Sequence, residues 1–474
     1  MFNIDLWMQT GWFNKCVALT SISNNEKDMK NKLMDTTTTY GITRRKFLWV
    51  TSASTAGFLL GCATNPVTGK SQLMLVSEDQ EIEIDRQHSP YQFSTDYGSI
   101  QDKSLNNYID QTGKKISGLT HRPHMPFSFR GVNAAYVNAY AFPGGSIAAT
   151  RGILVELKNE AELAALLGHE IGHVNARHTA AQMSKSSLTN TLIGGIAAIA
   201  GTQSAGLGSL TSQLGMLGAG AFLAHYSRDN ERQADELGLE YMVKAGYNPN
   251  GFVGLMNMLR SMSKHEPSAI ELMFSTHPMS DERYNTAVHT VQTKYRHAQN
   301  YPFYRERYMD HTVKLRAMKG VIEDMQKGER VMAQKKYDEA ETYYNKALKQ
   351  APDDYAGLVM MAKCQIVREK YSEAGWFVEK AKKVYPQEAQ AYYLSGFVNM
   401  NQKKYDSAHE DFKTYEKILP GNPNITFYQG LSLEKMNRVS ESADKYYRYL
   451  KVVNQGEKAK YAYQRLVEWG YVKR

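Results

Sequence analysis

Cysteine is scarce in this chain of 474 residues, which contains three. Because Cys16, Cys62 and Cys364 form no Cys-x-x-Cys pair or other metal-ligand spacing, the sequence argues against a disulfide framework and against a thiolate metal site. Cys364 falls within a helical pattern, where a small buried thiol is expected. Cys62 ends an apolar stretch and requires an explanation of its own.

A strong charge of either sign is missing as well. The formal net charge is +9, and the lysines are scattered over amphipathic helices, which favours solvated helix faces over a binding surface. We therefore expect no nucleic-acid partner. With 42% hydrophobic and 22% charged residues, the composition is otherwise that of a globular chain, and the length favours two domains plus an export segment.

Residues 1–61 carry the pattern of an upstream extension and an export signal. Residues 43–48 read TRRKFL and resemble a twin-arginine signal. The uncharged stretch 47–60 has the length of a signal core and is too short to cross a bilayer as a helix. It ends in LLGC, which resembles a lipobox with Cys62 as the acylation site. The prediction is an exported, periplasmic lipoprotein anchored through Cys62, with Ala63 indicating the outer membrane.

Residues 62–300 predict a domain with a small sheet. The segment 62–86 is expected to begin as a polar, turn-rich tether and to pass into a helix. Alternation over 126–132 and a Pro-Gly-Gly turn within 139–147 predict strands. Asn159 is a good helix N-cap, with a glutamate three residues later and apolar residues at helical spacing beyond it.

A region rich in Gly, Ala, Leu and Ser follows between residues 184 and 224. It contains LIGGIAAIAG, an apolar run that is too short to span a membrane. We expect a buried helical pair or a loop over the functional site, and shallow membrane contact is the alternative.

The C-terminal third has an internal period of 34 residues. Three residue types recur in phase, at Tyr337, Tyr371 and Tyr405, at Ala340, Ala374 and Ala408, and at Pro352, Pro386 and Pro420. This is the tetratricopeptide pattern, in which small residues let paired helices approach and proline ends each second helix. Four repeats fit residues 321–456, and the amphipathic segment 457–471 would cap the stack, so we assign 321–474 to this domain.

The residues that carry chemistry begin with HEIGH at 169–173. Histidines four residues apart lie on one helix face, so His169 and His173 can reach a single metal ion while Glu170 projects beside them toward a water molecule. A solvated helix with two surface histidines is the alternative.

A second segment, SRDNERQADE, occupies residues 227–236, and its first glutamate, Glu231, lies 58 residues after His173. Glu231 can supply the third ligand of a His₂Glu zinc site, and Asp235 can accept a hydrogen bond from the other ring nitrogen of a zinc-binding histidine. One carboxylate leaves the site with a net positive charge, which preserves Lewis acidity. The alternative for Glu231 is a surface pair with Arg228 or Arg232.

Together with NAYAFPGGSIAATRG at 138–152 and FSTHPMSDER at 274–283, these segments resemble the HtpX and CAAX-prenyl-protease type of zinc metallopeptidase over about residues 66–290. The resemblance implies one Zn²⁺ held by His169, His173 and Glu231, with Glu170 as general base and acid and Asp235 orienting the site. For His277, in the THP stretch, three roles stay open: oxyanion stabiliser, latch in the open coordination position, or loop-stabilising residue.

The fold class implied is α+β and mainly helical: a zincin-type metallopeptidase domain with a small sheet, followed by an α-solenoid of about four tetratricopeptide repeats. The expected function is that of a zinc metalloendopeptidase in envelope protein quality control. Its substrates would be unfolded or misassembled polypeptides, bound as strands along 137–142. The repeats would recruit clients or an outer-membrane assembly machine. The alternative is a chaperone-like assembly factor or scaffold whose peptidase site stays latched.

Overall fold

A computed structural model describes residues 62–185, 225–265 and 271–472. The predicted export signal and residues 186–224 of the Gly/Ala-rich region lie outside the described residues, as does the side chain of Cys62. Within the described ranges, no helix combines the length and the apolar character needed to cross a membrane. The described residues all belong to one compact unit.

The N-terminal half of this unit alternates short strands with helices. Its elements are β1 (Cys62–Thr64), β2 (Ser71–Leu73), α1 (Glu78–Thr95), α2 (Lys103–Ser117), β3 (Ser128–Val132), β4 (Ala139–Ala141), β5 (Ser146–Thr150), α3 (Arg151–Leu154), α4 (Glu160–Asn175), α5 (Arg228–Lys244), α6 (Asn250–His265), α7 (Glu271–Thr276) and α8 (Asp281–Thr293). A short 3₁₀ turn, Arg296–Ala298, and α9 (Arg305–Ala317) lead out of it.

The tether expected at residue 62 is instead a hairpin. Strands β1 and β2 pair antiparallel, with Cys62 opposite Leu73. Asn65 holds the turn, because its side-chain oxygen accepts from Val67 N at 2.9 Å while its amide donates to Ala176 O at 3.3 Å. A turn stabilised by an asparagine side chain explains how a polar segment becomes ordered. The predicted helix follows as α1.

The small sheet is confirmed, with the strand order β3-β5-β4. β3 and β5 run parallel, with Phe129 beside Ile147, whereas β4 and β5 form an antiparallel hairpin that turns at Gly145, whose φ is +104°. Among the described strands, β4 therefore has one unpaired edge. Asn159 caps α4 as expected, because its side chain accepts from Glu162 N at 2.9 Å.

Helices α4 and α5 cross at very close range. A Cβ at Gly172 would lie 3.0 Å from Ala234 O, and one at Gly238 would lie 2.9 Å from His169 N. Glycine permits this close approach, because a side chain at either position would press against the backbone of the other helix. This crossing brings the HEIGH segment and the second motif side by side.

The C-terminal half is a stack of helix pairs, which confirms the predicted fold class. The helices are α10 (Lys319–Ala333), α11 (Tyr337–Gln350), α12 (Tyr355–Val367), α13 (Tyr371–Val384), α14 (Ala389–Asn401), α15 (Tyr405–Ile418), α16 (Pro423–Lys435), α17 (Val439–Leu450) and the terminal α18 (Glu457–Glu468). Small residues face bulky ones within the pairs, since a Cβ at Gly396 would lie 2.6 Å from the Phe412 ring. Cys364 is buried in α12, as expected.

The two halves pack through a polar interface. Arg151 Nη1 lies 2.5 Å from Asp354 Oδ2, and both side chains are buried. Gln390 donates to Ser94 O at 2.9 Å, and the Ser94 hydroxyl hydrogen bonds to Glu388. Buried polar contacts therefore join the repeats to the first half. The domain limits at 300 and 321 stay predictions.

Candidate metal centre

The histidines of the HEIGH segment project from α4 into the interior. His169 and His173 are 6% and 1% exposed, and their Nε2 atoms lie 3.1 Å apart. Four residues make about one helical turn, so the two rings lie one above the other. Burial of both rings excludes the alternative of a solvated helix with surface histidines.

Glu231 reaches the same point from the first turn of α5. Its carboxylate is fully buried, with Oε1 3.3 Å from His173 Nε2 and Oε2 3.5 Å from His169 Nε2. Because Glu231 is fully buried, the alternative of a surface pair with Arg228 or Arg232 is excluded, and Arg232 binds Glu282 at 2.9 Å instead.

Asp235 follows one helical turn after Glu231 and contacts the other side of the first imidazole. Its Oδ1 lies 3.0 Å from His169 Nδ1. Arg283 donates to both oxygens of Asp235, at 2.6 and 2.7 Å, and its Nη1 lies 2.6 Å from Glu231 Oε2. This guanidinium compensates the charge of two buried carboxylates, and such planar bidentate pairing gives it a defined orientation. Asp235 in turn directs the Nε2 of His169 toward the cluster.

Glu170 is fully buried, and neither of its carboxylate oxygens has a hydrogen-bond partner among the described residues. Burial raises the pKa of this carboxyl, against the opposing influence of the neighbouring His277 and His169 rings. A buried acceptor without a donor is costly unless something else supplies one. The carboxylate is therefore suited to receive a proton from a molecule that enters the site.

His277 lies directly after α7 and belongs to the same cluster. Its Nδ1 is 3.1 Å from Glu231 Oε1 and 3.3 Å from His169 Nε2, while its Nε2 is 3.7 Å from Glu170 Oε1. The ring is thus aimed at the other site residues, which a purely loop-stabilising histidine would not require.

Electrostatics prepares these groups for a cation. Burial raises the pKa of Glu231, but the charge of His277 and hydrogen bonds with His173 and His277 outweigh it and hold that pKa far below its ordinary value. Burial lowers the pKa of His173, which leaves its ring neutral and able to coordinate. Ligand atoms of His169, His173, Glu231 and His277 all lie within 4.8 Å of one another. This donor set fits a single divalent metal ion.

Three further residues at the site were not singled out from the sequence. Arg283 pairs with both carboxylates, the Tyr226 ring stacks on His173 with centroids 3.6 Å apart, and His178 Nδ1 lies 2.9 Å from His173 Nδ1. Arg283 ends the segment FSTHPMSDER, and His178 lies five residues after the end of the HEIGH segment, so both positions were visible in the sequence. The partners of these residues could not be read from the sequence, because the pairing depends on tertiary contacts.

The free strand edge leads to this cluster. A cleft too narrow to hold a water molecule is lined by Ala141 and Pro143 together with His173 and Tyr226. In the β4–β5 hairpin, Phe142 N donates to Ser146 O at 2.8 Å, so Phe142 faces the partner strand. Since backbone groups alternate in direction along an antiparallel pair, the amides of Ala139 and Ala141 point outward from the sheet.

Parts of this chain are similar to known proteins. The family model of Peptidase family M48 matches residues 103–291, and a tetratricopeptide-repeat model matches residues 331–396. The chain is 32% identical over 190 residues to Metalloprotease YcaL of Escherichia coli (strain K12), which covers 40% of this chain and 68% of that protein. Metalloprotease LoiP of the same strain is 30% identical over 182 residues, or 38% of this chain and 67% of that protein.

A relative with a different name matches a longer stretch. The Beta-barrel assembly-enhancing protease of Yersinia pestis is 29% identical over 240 residues, which cover 50% of this chain and 49% of that protein. The chain thus spans about half the length of this relative.

Proposed function

The chain belongs to peptidase family M48, and from this premise we propose that it is a zinc-dependent endopeptidase that acts in protein quality control in the cell envelope. The single observation that carries the proposal is the buried cluster of His169, His173 and Glu231 beside the carboxylate of Glu170, which accepts no hydrogen bond from the described residues. One such group occurs among the described residues, so we expect one metal ion per chain.

His169, His173 and Glu231 would hold the metal. Two neutral imidazoles and one carboxylate form the donor set of catalytic zinc sites, which keep a position open for water or substrate. When bound there, zinc supplies the Lewis acidity that polarises a peptide carbonyl and lowers the pKa of water. Asp235 and Arg283 keep the first histidine and the glutamate in orientation through the contacts described above.

Glu170 would act as the general base and then as the general acid. Its carboxylate accepts a proton from the attacking water and later transfers it to the leaving amine nitrogen. Burial favours the protonated carboxyl, whereas the nearby imidazoles favour the carboxylate. Opposing influences of this kind keep a carboxyl able both to take up and to release a proton.

His277 would act as a latch. Its Nδ1 lies among the ligand atoms of the other residues, 3.1 Å from Glu231 Oε1, which is the position of a fourth donor rather than of a group facing a substrate oxygen. A latched site supports the second candidate function, a chaperone-like assembly factor that cleaves only when the latch opens. Release of His277 would then free the position that substrate needs.

Substrate would bind as an added strand along β4. The outward amides of Ala139 and Ala141 offer main-chain hydrogen bonds, and Ala141 lines the same cleft as His173. Main-chain recognition suits unfolded polypeptides, because it does not depend on a particular side chain.

The repeats would recruit those polypeptides or an outer-membrane assembly machine. Support comes from the relative named as a Beta-barrel assembly-enhancing protease and from the binding surfaces that stacked repeats provide. Cys62 would carry the lipid anchor that keeps the protein in the periplasm at the outer membrane. No nucleic-acid partner is part of the proposal.

The decisive experiment compares the full chain with its Glu170→Gln and His277→Ala variants. Metal content is measured together with cleavage of an unfolded outer-membrane protein. We expect zinc in all three, cleavage by the wild type and none by Glu170→Gln; equal cleavage by these two would refute the assignment. Faster cleavage by His277→Ala supports the latch, and loss of cleavage contradicts it. If Glu170→Gln rescues outer-membrane assembly in cells as well as the wild type does, the chaperone function is favoured.

A further inference from the structure

The chain turns sharply directly after the HEIGH helix. Helix α4 ends at Asn175, and a second helical stretch, residues 178–185, begins three residues later. Arg177, between them, has a φ of +59°, in the left-handed region that non-glycine residues avoid. This reversal returns His178 toward α4, so that its ring meets His173 at a centroid distance of 5.0 Å.

Buried contacts hold this turn. Arg177 donates through Nε to Glu81 at 3.0 Å and through Nη2 to Val76 O at 2.8 Å. A left-handed residue is a common helix ending, and four residues that follow helices of the repeats share this conformation: Lys335, Glu369, Lys403 and Asn437. The contacts of Arg177 keep the turn in place, and the turn sets the position of His178.

The contacts of His178 form a directed chain. Its Nδ1 lies 2.9 Å from His173 Nδ1, and its Nε2 lies 3.0 Å from Gln233 Oε1. The amide oxygen of Gln233 can only accept, so His178 carries its proton on Nε2. Its Nδ1 is then an acceptor, and His173 must donate from Nδ1. That leaves the lone pair of His173 on Nε2, 3.3 Å from Glu231 Oε1 in the metal cluster.

From this chain we infer that His178 is a positioning residue, which with Gln233 fixes the tautomer and the ring orientation of His173 for metal binding. The inference deepens the proposed function and rests on it. The two histidines of the cluster are thereby held differently, His169 by the carboxylate of Asp235 and His173 by a neutral imidazole. A carboxylate makes its histidine the stronger donor, and a neutral acceptor orients its histidine without adding charge.

The test exploits the shapes of two amides. In His178→Asn the side-chain oxygen occupies the place of Nδ1 and can still accept from His173, whereas His178→Gln extends its amide toward Gln233 and lacks an acceptor at the place of Nδ1. His178→Leu lacks both the acceptor at the place of Nδ1 and the polar group that faces Gln233. Zinc affinity is measured on the full chain by competition with a chelator, and the visible absorption of the cobalt-substituted protein reports the geometry at the metal. The same three substitutions at His409, a buried histidine of the repeats, are the matched control.

We expect His178→Asn to bind zinc nearly as the wild type does, and His178→Gln and His178→Leu to bind it about 10- to 100-fold more weakly, with altered cobalt spectra. Gln233→Leu removes the amide oxygen that accepts from His178 Nε2 but leaves both histidines in the sequence, and it should also weaken zinc binding. Equal zinc affinity for the Asn, Gln and Leu variants at His178 overturns the inference and leaves the proposed function intact. A wild-type chain that binds no zinc overturns both. If a His178 variant does not fold, the affinity of Gln233→Leu decides: a value equal to that of the wild type refutes the inference.

Discussion

Glu388 is a buried acid at the interface of the two halves, and its replacement gives a measurable test of the packing. It lies in the turn before α14, is 7% exposed, and accepts hydrogen bonds from the Ser94 hydroxyl and the backbone N–H of Gln390. These groups donate hydrogen bonds but carry no charge. Burial therefore dominates and raises the pKa of Glu388 from 4.5 to about 7, against the lowering influence of the hydrogen bonds.

The size of the effect follows from linkage between protonation and folding. The folded chain binds the proton of Glu388 more tightly than the unfolded chain, so its contribution to stability is full below pH 4.5 and is lost as the pH rises through about 7. At about 1.36 kcal/mol for each pH unit, the whole loss is about 3 kcal/mol. About 2 kcal/mol of it falls between about pH 5.5 and about pH 8.

Glu388→Gln keeps the hydrogen-bonding oxygen and removes the ionisation. We expect its thermal unfolding midpoint to exceed that of the wild type at about pH 8, and this advantage to shrink by the equivalent of about 2 kcal/mol at about pH 5.5. Unfolding of the full chain is followed at both pH values, with Glu373→Gln, an exposed position on α13, as control. A difference between variant and wild type that is the same at both pH values would refute the argument.

Three other substitutions test the site and its framework. Arg283→Met should cost about 3–5 kcal/mol of stability, because it leaves two buried carboxylates without their partner. Unfolding midpoints measure this loss, and a loss no larger than that of Arg232→Met, at an exposed position, would contradict the prediction. Gly172→Ala should cost about 1–3 kcal/mol of stability and weaken zinc binding, since its Cβ would lie 3.0 Å from Ala234 O and push α4 away from α5. Unchanged zinc affinity would show that the crossing tolerates a methyl group. Ala141→Pro should raise KM for an unfolded substrate without lowering the unfolding midpoint, because it removes an outward-facing amide, and an unchanged KM would argue against strand addition at β4.

Much of this protein could be anticipated from local spacing. The period of 34 residues, the Pro-Gly-Gly turn and the N-cap at Asn159 are short-range signals, since each depends on the geometry of a helix or a turn and on little else. The same holds for His169 and His173, which share a helix face because four residues make about one turn. The hairpin at 62–73 was missed because its order depends on Asn65 reaching Ala176, far along the chain.

The sequence by itself determined the repeat helices, the helix of the HEIGH segment and the residue types available for chemistry, because hydrophobic period, capping and turn preference act between residues that are close in the chain. Only the tertiary structure decided that Gly172 and Gly238 let α4 and α5 meet, that Arg283 bridges Glu231 and Asp235, and that His178 turns back onto its neighbour. The polar contacts among them form as the chain folds, because each buried charge or polar group needs a partner in the folded state. No local pattern specifies which partner a buried group will find.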